Sequence, residues 1–182
     1  MHCLRAGLGY GFPPTPRNGF MHIQAGDTEL MMRAAEPGDD DFILALVPRF
    51  VDFELPKGRK RIEVTEGIRR DLRRHLDDDM PGSFLFIAET DEGQRAGFLH
   101  IQISSDFFSG RSNCHVSDLV IAKGWDGKGL GRALLEYAER FAREHQCERL
   151  TLSVFPGNER ARKLYDDFGF HADILRLAKP LG

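Results

Sequence analysis

Hydrophobic and polar positions follow two different periods along the chain, and each period predicts a different kind of element. Alternation with a period of two predicts β-strands, and apolar positions spaced three and four apart predict amphipathic helices. The strand pattern occurs at residues 29–34, 84–88, 95–104, 114–121, 149–155 and 170–179, and the helical pattern at residues 42–50, 61–79, 130–145 and 158–168. The resulting order, βααβββαβαβ, predicts an α/β domain with a mixed, mostly antiparallel sheet and helices on both faces.

Three features refine this pattern. The second helix carries an apolar stripe at every fourth position, namely Val64, Ile68, Leu72 and Leu76. The strand at residues 95–104 alternates two sets of side chains, with Leu99, Ile101 and Ile103 on one face and His100 and Gln102 on the other. Pro48 lies inside the first helical pattern and should divide that helix, because proline lacks the backbone N–H donor.

The centre of the pattern is a strand, a glycine loop and a helix. Three glycines at alternate positions, Gly127, Gly129 and Gly131, lead from the strand that ends at Ile121 into the helix that begins at Leu130. Glycine tolerates positive φ, so several backbone N–H groups can converge beside the unpaired donors of the helix start. The segment therefore predicts a phosphate-binding loop. Because another strand follows, residues 116–155 should form a right-handed βαβ unit.

The first part of the chain shows neither period. Residues 1–28 are rich in glycine and proline and are expected to form a flexible arm or to be a start-site artefact, since Met21, Met31 and Met32 offer later starts. Residues 29–182 are expected to form a single domain.

Composition limits the classes of protein to consider. The chain has 182 residues, 41% of them hydrophobic and 29% charged, which is typical of one soluble globular domain. Its net charge of -3 gives no overall attraction to nucleic acid or to an acidic membrane. Three cysteines at wide spacings do not indicate a disulfide framework. Neither a membrane span nor a secretory signal is recognisable, so we expect a cytoplasmic protein.

One local stretch is basic. Residues 57–74 contain eight Lys or Arg against three acids. Such a face can attract an anionic substrate or RNA, but no series of aromatic residues accompanies it, so a solvated helix face is the favoured interpretation and no nucleic acid partner is expected.

Two familiar phosphate loops do not fit the glycine segment. A Walker loop needs Ser or Thr after its lysine, whereas Lys128 is followed by Gly129. A dinucleotide-binding loop needs a third glycine where this chain has Arg132, and no acidic residue ends the following strand.

A third loop pattern, Arg/Gln-x-x-Gly-x-Gly/Ala, fits residues 126–131, which read D-G-K-G-L-G. With the preceding strand at residues 116–121, this loop resembles that of the GCN5-related N-acetyltransferase (GNAT) family. The family's second motif, Asn-x-x-Ala-x-x-Leu-Tyr-x-x-x-Gly-Phe, is matched by Asn158, Ala161, Leu164, Tyr165, Gly169 and Phe170. The resemblance is specific from residue 116 to residue 170, and the order of elements agrees from residue 29 onwards.

The resemblance implies that the chain binds acetyl-coenzyme A. The implied cofactor-binding residues are Leu119, Val120, Ile121, Asp126, Gly127, Lys128, Gly129, Leu130, Gly131, Arg132, Asn158 and Tyr165. The family usually has Arg or Gln where this chain has Asp126. An acid beside a pyrophosphate is unfavourable, so we expect weaker binding of the cofactor, partly compensated by Lys128 and Arg132.

Acetyl transfer to an amine needs a base for the amine and an acid for the departing thiolate. The resemblance places Tyr165 near the coenzyme sulfur as the acid, although this residue would also suit a helix packing face. His115 and Asp118 are the candidate bases. They point to opposite faces of a regular strand, so they can share one cleft only if a β-bulge lies between them. No metal site is expected, because the histidines show no ligand spacing.

The sequence therefore predicts an acetyl-coenzyme A-dependent N-acetyltransferase that modifies a small-molecule or peptide amine in a ternary complex. No cysteine lies in either motif, which argues against a covalent acetyl-enzyme. Two alternatives stay open: a non-catalytic coenzyme A-binding sensor, and an RNA-directed enzyme that uses residues 57–74. A homodimer is expected from the family.

Overall fold

Six strands form one sheet in which the spatial order of the strands equals their order along the chain. In this computed structural model, which describes residues 21–78 and 80–181, the strands are β1 (Met21–Ala25), β2 (Thr28–Ala34), β3 (Ser83–Glu89), β4 (Arg95–Ser105), β5 (Ser112–Ile121) and β6 (Arg149–Leu152). Neighbouring strands from β1 to β5 are antiparallel, and β5 and β6 are parallel. The expectation of a mixed, mostly antiparallel sheet is confirmed.

The described residues form four α-helices: α1 (Asp40–Ala45), α2 (Arg61–Asp77), α3 (Leu130–Glu144) and α4 (Glu159–Phe168). Pro48 divides the first helical segment as predicted, because α1 ends at Ala45 and a 3-10 helix follows at Val47–Val51. None of the described helices has the length and apolar character needed to cross a bilayer.

Helices cover both faces of the sheet. On one face α3 packs on β3, where Phe86 and Tyr137 have ring centroids 5.0 Å apart. On the other face the segment around α1 and α2 covers β4, with Phe50 lying 6.3 Å from Phe98. Because both faces are covered, His100 is fully buried, although the alternation along β4 predicts that it lies on a polar face of the sheet.

The expected arm at residues 1–28 is wrong for its last part. Residues 21–25 form β1, which pairs with β2 and buries Ile23 and Ala25. Met21–Ala25 alternates apolar and polar side chains, but the glycine-rich and proline-rich stretch before it obscures this short pattern. The sheet therefore begins before residue 29, and residues 1–20 lie outside the described residues.

The closing strand expected at residues 170–179 is also wrong. That segment has no regular secondary structure, and Leu175 and Leu177 are exposed. It is held beside β6 by an ion pair of 2.8 Å between Arg149 and Asp173. A strand needs a neighbour along its whole length for backbone hydrogen bonds, and β6 has only four residues, so the alternating pattern alone does not produce a strand here.

Candidate active site

The parallel strands β5 and β6 part halfway along β5. Their pairing runs from Asn113 opposite Arg149 to Val116 opposite Leu152, while β5 continues to Ile121. From residue 117 onwards, the edge of β5 on the β6 side has no strand partner among the described residues. Unpaired backbone N–H and C=O groups at a strand edge can bind a peptide-like ligand as an added strand.

The glycine loop closes the far end of this opening. Gly127 and Gly129 have φ angles of 75° and 80°, which are accessible to glycine without strain, and Gly129 is the N-cap of α3. No side chain caps that helix start. The first backbone N–H groups of α3 therefore remain available at the positive end of the helix dipole, which is the chemistry that a pyrophosphate group requires.

Gly131 lies where β5, α3 and α4 meet. A Cβ atom added there would lie 2.9 Å from Leu164 Cδ2 and 3.4 Å from Ile121 Cδ1. The loop is also supported from the N-terminal hairpin, because a Cβ added to Gly26 would lie 3.1 Å from the carbonyl oxygen of Lys128. The loop is therefore packed on two sides, against the side chains of Leu164 and Ile121 at Gly131 and against the backbone of Gly26 at Lys128.

The Asp126 carboxylate is held by two arginines from different elements. Arg49 Nη2 donates to Asp126 Oδ1 at 2.6 Å, and Arg160 Nη1 donates to the same oxygen at 3.0 Å. The two cations offset the negative charge of the Asp126 carboxylate beside the glycine loop. Lys128 Nζ lies 4.7 Å from the centre of the Trp125 ring, which positions another cation at the loop.

The second motif folds as α4 and its start. Asn158 is the N-cap of α4, and its side-chain oxygen accepts a hydrogen bond of 3.2 Å from the Ala161 N–H. Tyr165 is half-buried, and its ring lies 5.8 Å from that of Phe170. Burial raises the pKa of the Tyr165 hydroxyl, so this group is protonated at neutral pH and can act only as a proton donor there.

A β-bulge in β5 satisfies the condition for a shared face. His115 lies opposite Gln102 and Asp118 lies opposite His100, with one extra residue, Ser117, on β5 between the two pairs. His115 and Asp118 therefore face the same side of the sheet. The bulge follows Val116 directly, at the point where β5 and β6 part.

The two candidate bases have different surroundings. His115 lies in the paired part of β5, and its Nδ1 is 2.9 Å from the Thr151 hydroxyl. Burial lowers the pKa of His115, and Asp118 offsets this only in part, so the imidazole is neutral at pH 7. Asp118 lies in the parted region, and its Oδ2 accepts a hydrogen bond of 2.7 Å from His100 Nδ1.

Sequence reasoning did not find the groups behind Asp118. His100 contacts Ser83, and Ser83 contacts His75 on α2. His75 lies three residues after Leu72 on the apolar stripe of α2, so its position among buried residues was readable from the helical period. The contacts of Ser83 with His75 and His100 could not be predicted from the sequence, because they join α2, β3 and β4.

Other chemistries have little support in the described residues. Cys114 is buried, and its surroundings raise the pKa of its thiol to about 12, chiefly through burial and then through Cys147, so it is not a nucleophile at neutral pH. Within residues 21–78 and 80–181, no group of three or more His, Cys, Asp or Glu could hold a metal ion. On the basic face of α2, Arg69 pairs with Glu66 and Arg74 pairs with Asp71, so acids of the same helix already offset two of its positive charges.

The fold and the site together define an α/β protein with a glycine loop at the start of a helix, beside a parallel pair of strands whose pairing ends at Val116. The sequence profile described as Acetyltransferase (GNAT) family matches residues 52–170. The chain therefore belongs to the GNAT acetyltransferase family, which confirms the resemblance seen in the two motifs.

Named relatives and solved structures agree with this family. The chain is 32% identical over 82 residues to spermine/spermidine N(1)-acetyltransferase of Bacillus subtilis (strain 168), covering 43% of this chain and 54% of that protein. It is 34% identical over 85 residues to streptothricin acetyltransferase of Streptomyces lavendulae, covering 47% and 43%. The chain thus spans about half the length of these relatives. An acetyltransferase structure from Trypanosoma brucei shares the fold with a TM-score of 0.58 and 23% identity, over 84% of this chain and 99% of that chain.

Proposed function

We propose that this protein is an acetyl-coenzyme A-dependent N-acetyltransferase that transfers acetyl directly to a primary amine of a small molecule or peptide. The observation that carries the proposal is that β5 and β6 stop pairing at Val116. The rest of β5, which includes Asp118 and leads to the glycine loop, therefore has an open edge on the β6 side. When bound, acetyl-coenzyme A supplies the acetyl group as a thioester.

Both backbone groups and side chains of this chain would bind the cofactor. The N–H groups at the start of α3, from Gly129 to Gly131, would hold the pyrophosphate, with Lys128 and Arg132 adding positive charge. The backbone of Leu119–Ile121 would hydrogen-bond the pantetheine arm as an added strand. Gly129 supports this assignment, because it is the N-cap of α3 and no side chain caps the helix start.

Asp118 is the group that takes the proton from the acceptor amine. A lysine-like amine with a pKa of ~10.4 is almost entirely charged at pH 7, which is a handicap of about 4.6 kcal/mol for attack on a carbonyl. Asp118 lies in the part of β5 that is not paired with β6, and only its Oδ2 atom takes part in the hydrogen bond to His100. His115 lies in the paired part of β5, where its Nδ1 atom contacts the Thr151 hydroxyl. His115 is the second candidate for this role.

Tyr165 donates the proton to the departing thiolate. Its half-buried hydroxyl is protonated at neutral pH and belongs to α4, which contacts the glycine loop through Leu164. The names of the two relatives support an amine as acceptor, since one acts on spermine and spermidine and the other on streptothricin.

Two measurements test the function. Coenzyme A should raise the melting temperature according to RT ln(1 + [L]/Kd), which reports a working cofactor site. A panel of polyamines, amino sugars and peptides, read by thiol release from acetyl-coenzyme A, should identify an acceptor. Stabilisation without thiol release for any amine would instead indicate a coenzyme A-binding module.

The variant Tyr165→Phe tests the acid. We expect kcat to fall about 100-fold, because a positioned acid contributes ~10²–10⁴ in rate, while stabilisation by coenzyme A stays unchanged. Tyr137→Phe is the matched control, because Tyr137 is a buried core tyrosine on α3, with its ring 5.0 Å from that of Phe86. Equal kcat for the two variants would remove Tyr165 from the acid role.

A further inference from the structure

Five side chains form a continuous array of hydrogen bonds, and the array ends at Asp118. Gln102 Nε2 lies 3.0 Å from His75 Nε2, and His75 Nδ1 lies 3.0 Å from Ser83 Oγ. Ser83 Oγ lies 3.0 Å from His100 Nε2, and His100 Nδ1 lies 2.7 Å from Asp118 Oδ2. These side chains come from α2, β3, β4 and β5, so the array joins a helix that covers the sheet to three of its strands.

The donor at one end fixes the direction of every bond in the array. An amide nitrogen can only donate, so Gln102 donates to His75 Nε2, and a neutral His75 carries its proton on Nδ1. His75 Nδ1 then donates to the Ser83 hydroxyl, and this hydroxyl donates to His100 Nε2. His100 in turn donates from Nδ1 to the Asp118 carboxylate, which is only an acceptor. All of these bonds therefore point towards Asp118.

This direction requires a neutral His75. Burial, and then the neighbouring His100, lowers the pKa of His75, and Arg74 acts in the same direction. Asp71 and Asp118 oppose this effect only in part. His75 is therefore neutral at pH 7, with one nitrogen that accepts and one that donates.

The array lies in the interior and approaches the surface only at its last member. The side chain of His100 is fully buried and that of His75 is 4% exposed, whereas the side chain of Asp118 is 13% exposed. The two imidazole rings also pack edge-on, with their centroids 4.5 Å apart. Because hydrogen bonds that run head to tail polarise one another, each bond in such an array is stronger than it would be alone.

Asp118 lies where neighbouring strands give it support on one side only. It follows the extra residue Ser117, beyond the last pair of β5 with β6. The hydrogen bond from His100 uses Oδ2, and no described residue donates to Oδ1. A base must lie within about 2.6–3.2 Å of the proton that it removes, and a carboxylate held at one oxygen presents the other in a defined direction.

We propose that His100, Ser83 and His75 are positioning residues that hold Asp118 by Oδ2, so that Oδ1 faces the acceptor amine. This proposal rests on the proposed acetyl transfer, in which Asp118 takes the proton of the amine. The ammonium N–H bond breaks and an O–H bond forms at Oδ1. That proton then passes to water at the open edge of β5, because the array presents only donors to Asp118.

Two amide substitutions of His100 separate its donor atom from its volume. In His100→Asn, the amide nitrogen is as many bonds from Cα as the imidazole Nδ1, so a donor to Asp118 is kept. In His100→Gln, the amide nitrogen corresponds to the imidazole Nε2, so that donor is lost and the contact with Ser83 is kept. Asparagine is the smaller replacement and leaves the larger cavity at this fully buried position.

We expect activity and stability to rank these two variants in opposite orders. His100→Gln should lower kcat about 10²-fold, whereas His100→Asn should lower it about tenfold or less, because a displaced reacting group can cost ~10²-fold. KM for acetyl-coenzyme A should stay within about twofold in both, as expected for a group that acts on the chemical step. His100→Asn should have the lower melting temperature because of its cavity. A kcat of His100→Gln that equals or exceeds that of His100→Asn would overturn the proposal.

Ser83 tests the array one bond further from the site. Ser83→Ala removes the donor to His100 without changing any charge, so we expect kcat to fall about tenfold with KM for acetyl-coenzyme A unchanged. Ser83→Thr keeps the hydroxyl and should restore kcat. Ser104→Ala is the matched control, because Ser104 is an exposed serine on β4.

A double-mutant cycle shows whether Ser83 acts through Asp118. In the Asp118→Asn background, Ser83→Ala should lower kcat by less than about twofold, because residues that act as a unit are not additive. The same loss in both backgrounds would mean that Ser83 acts independently of Asp118, which contradicts the proposal.

Nitrogen NMR of 15N-labelled histidines tests the direction of the array without any turnover. At pH 7, His75 and His100 should both carry their proton on Nδ1 and have an unprotonated Nε2. A proton on Nε2 of His100 would refute the array, because that atom would then donate to Ser83 and the bonds would not all point towards Asp118.

The outcomes distinguish the two proposals. Wild-type protein without thiol release for any amine refutes the acetyl transfer. Active wild-type protein in which His100→Gln is as fast as His100→Asn, or Ser83→Ala as fast as Ser104→Ala, refutes the positioning alone.

Discussion

Replacing Gly131 with alanine tests how closely β5, α3 and α4 pack at the head of the cleft. In an open helix position, glycine to alanine stabilises by about 0.5–1 kcal/mol. At Gly131 the new methyl group would lie 2.9 Å from Leu164 Cδ2 and 3.4 Å from Ile121 Cδ1, and overpacking of this kind costs about 1–3 kcal/mol. The expected net result is a loss of about 1 kcal/mol.

Gly67→Ala on α2 is the matched control. A Cβ atom there meets nothing within 4 Å, so the variant should gain up to about 1 kcal/mol. The two variants should therefore differ by about 2 kcal/mol, which is about 4–8 °C in melting temperature for a chain of this size. Differential scanning fluorimetry with and without coenzyme A measures both effects.

Displacement of Leu164 by the new methyl group should also disturb the glycine loop. We expect Gly131→Ala to weaken coenzyme A at least tenfold, which removes about 1.4 kcal/mol of its stabilisation at a saturating concentration. Gly67→Ala should keep the full shift. If Gly131→Ala were as stable as Gly67→Ala and kept the coenzyme A shift, the close contact among the three elements would be refuted.

Two further predictions concern ion pairs. Asp126→Ala should lower stability by about 1 kcal/mol, because Arg49 and Arg160 lose the carboxylate that they share. A double-mutant cycle with Arg49→Ala should give a coupling of about 0.5–1 kcal/mol, and additive effects of the two substitutions would contradict this. Asp39 is buried, and although burial alone would raise its pKa, hydrogen bonds from Arg33 and the Glu36 N–H together with nearby cations lower that pKa below its ordinary value. Its stabilisation should therefore be present above about pH 4 and be lost as the pH falls through the lowered pKa. Asp39→Asn should lower the free energy of unfolding in urea by about 3 kcal/mol at pH 7, with a smaller difference at pH 3; a constant difference would contradict the assignment.

Local patterns predicted most of the fold. The boundaries of α3 and of β3 to β5 agree within two residues with the structure, because each depends on periods inside its own segment. The missing strand at residues 170–179 shows the limit of that reasoning, since a strand exists only when a distant segment pairs with it. β1 was missed for a related reason, because its five residues become recognisable through pairing with β2.

The candidate site divides in the same way. The glycine loop and Asn158 could be placed from local sequence, because a strand, loop and helix fold within one stretch. The pairing of Asp126 with Arg49 joins residues 77 positions apart, so no local pattern contains it. The burial of His100 depends on α2 covering the sheet, which a strand's own alternation does not reveal.

The extra residue in β5, Ser117, changes the path of the strand as well as the direction of its side chains. A bulged strand bends and twists more strongly, and this bend follows the last pair of β5 with β6. β6 ends at Leu152, opposite Val116, so the extra residue marks the point beyond which β5 has no parallel partner among the described residues. A chain without Ser117 is expected to keep Asp118 opposite His100 and to lose the bend at this point, so the length of β5 and not only its side chains shapes this end of the site.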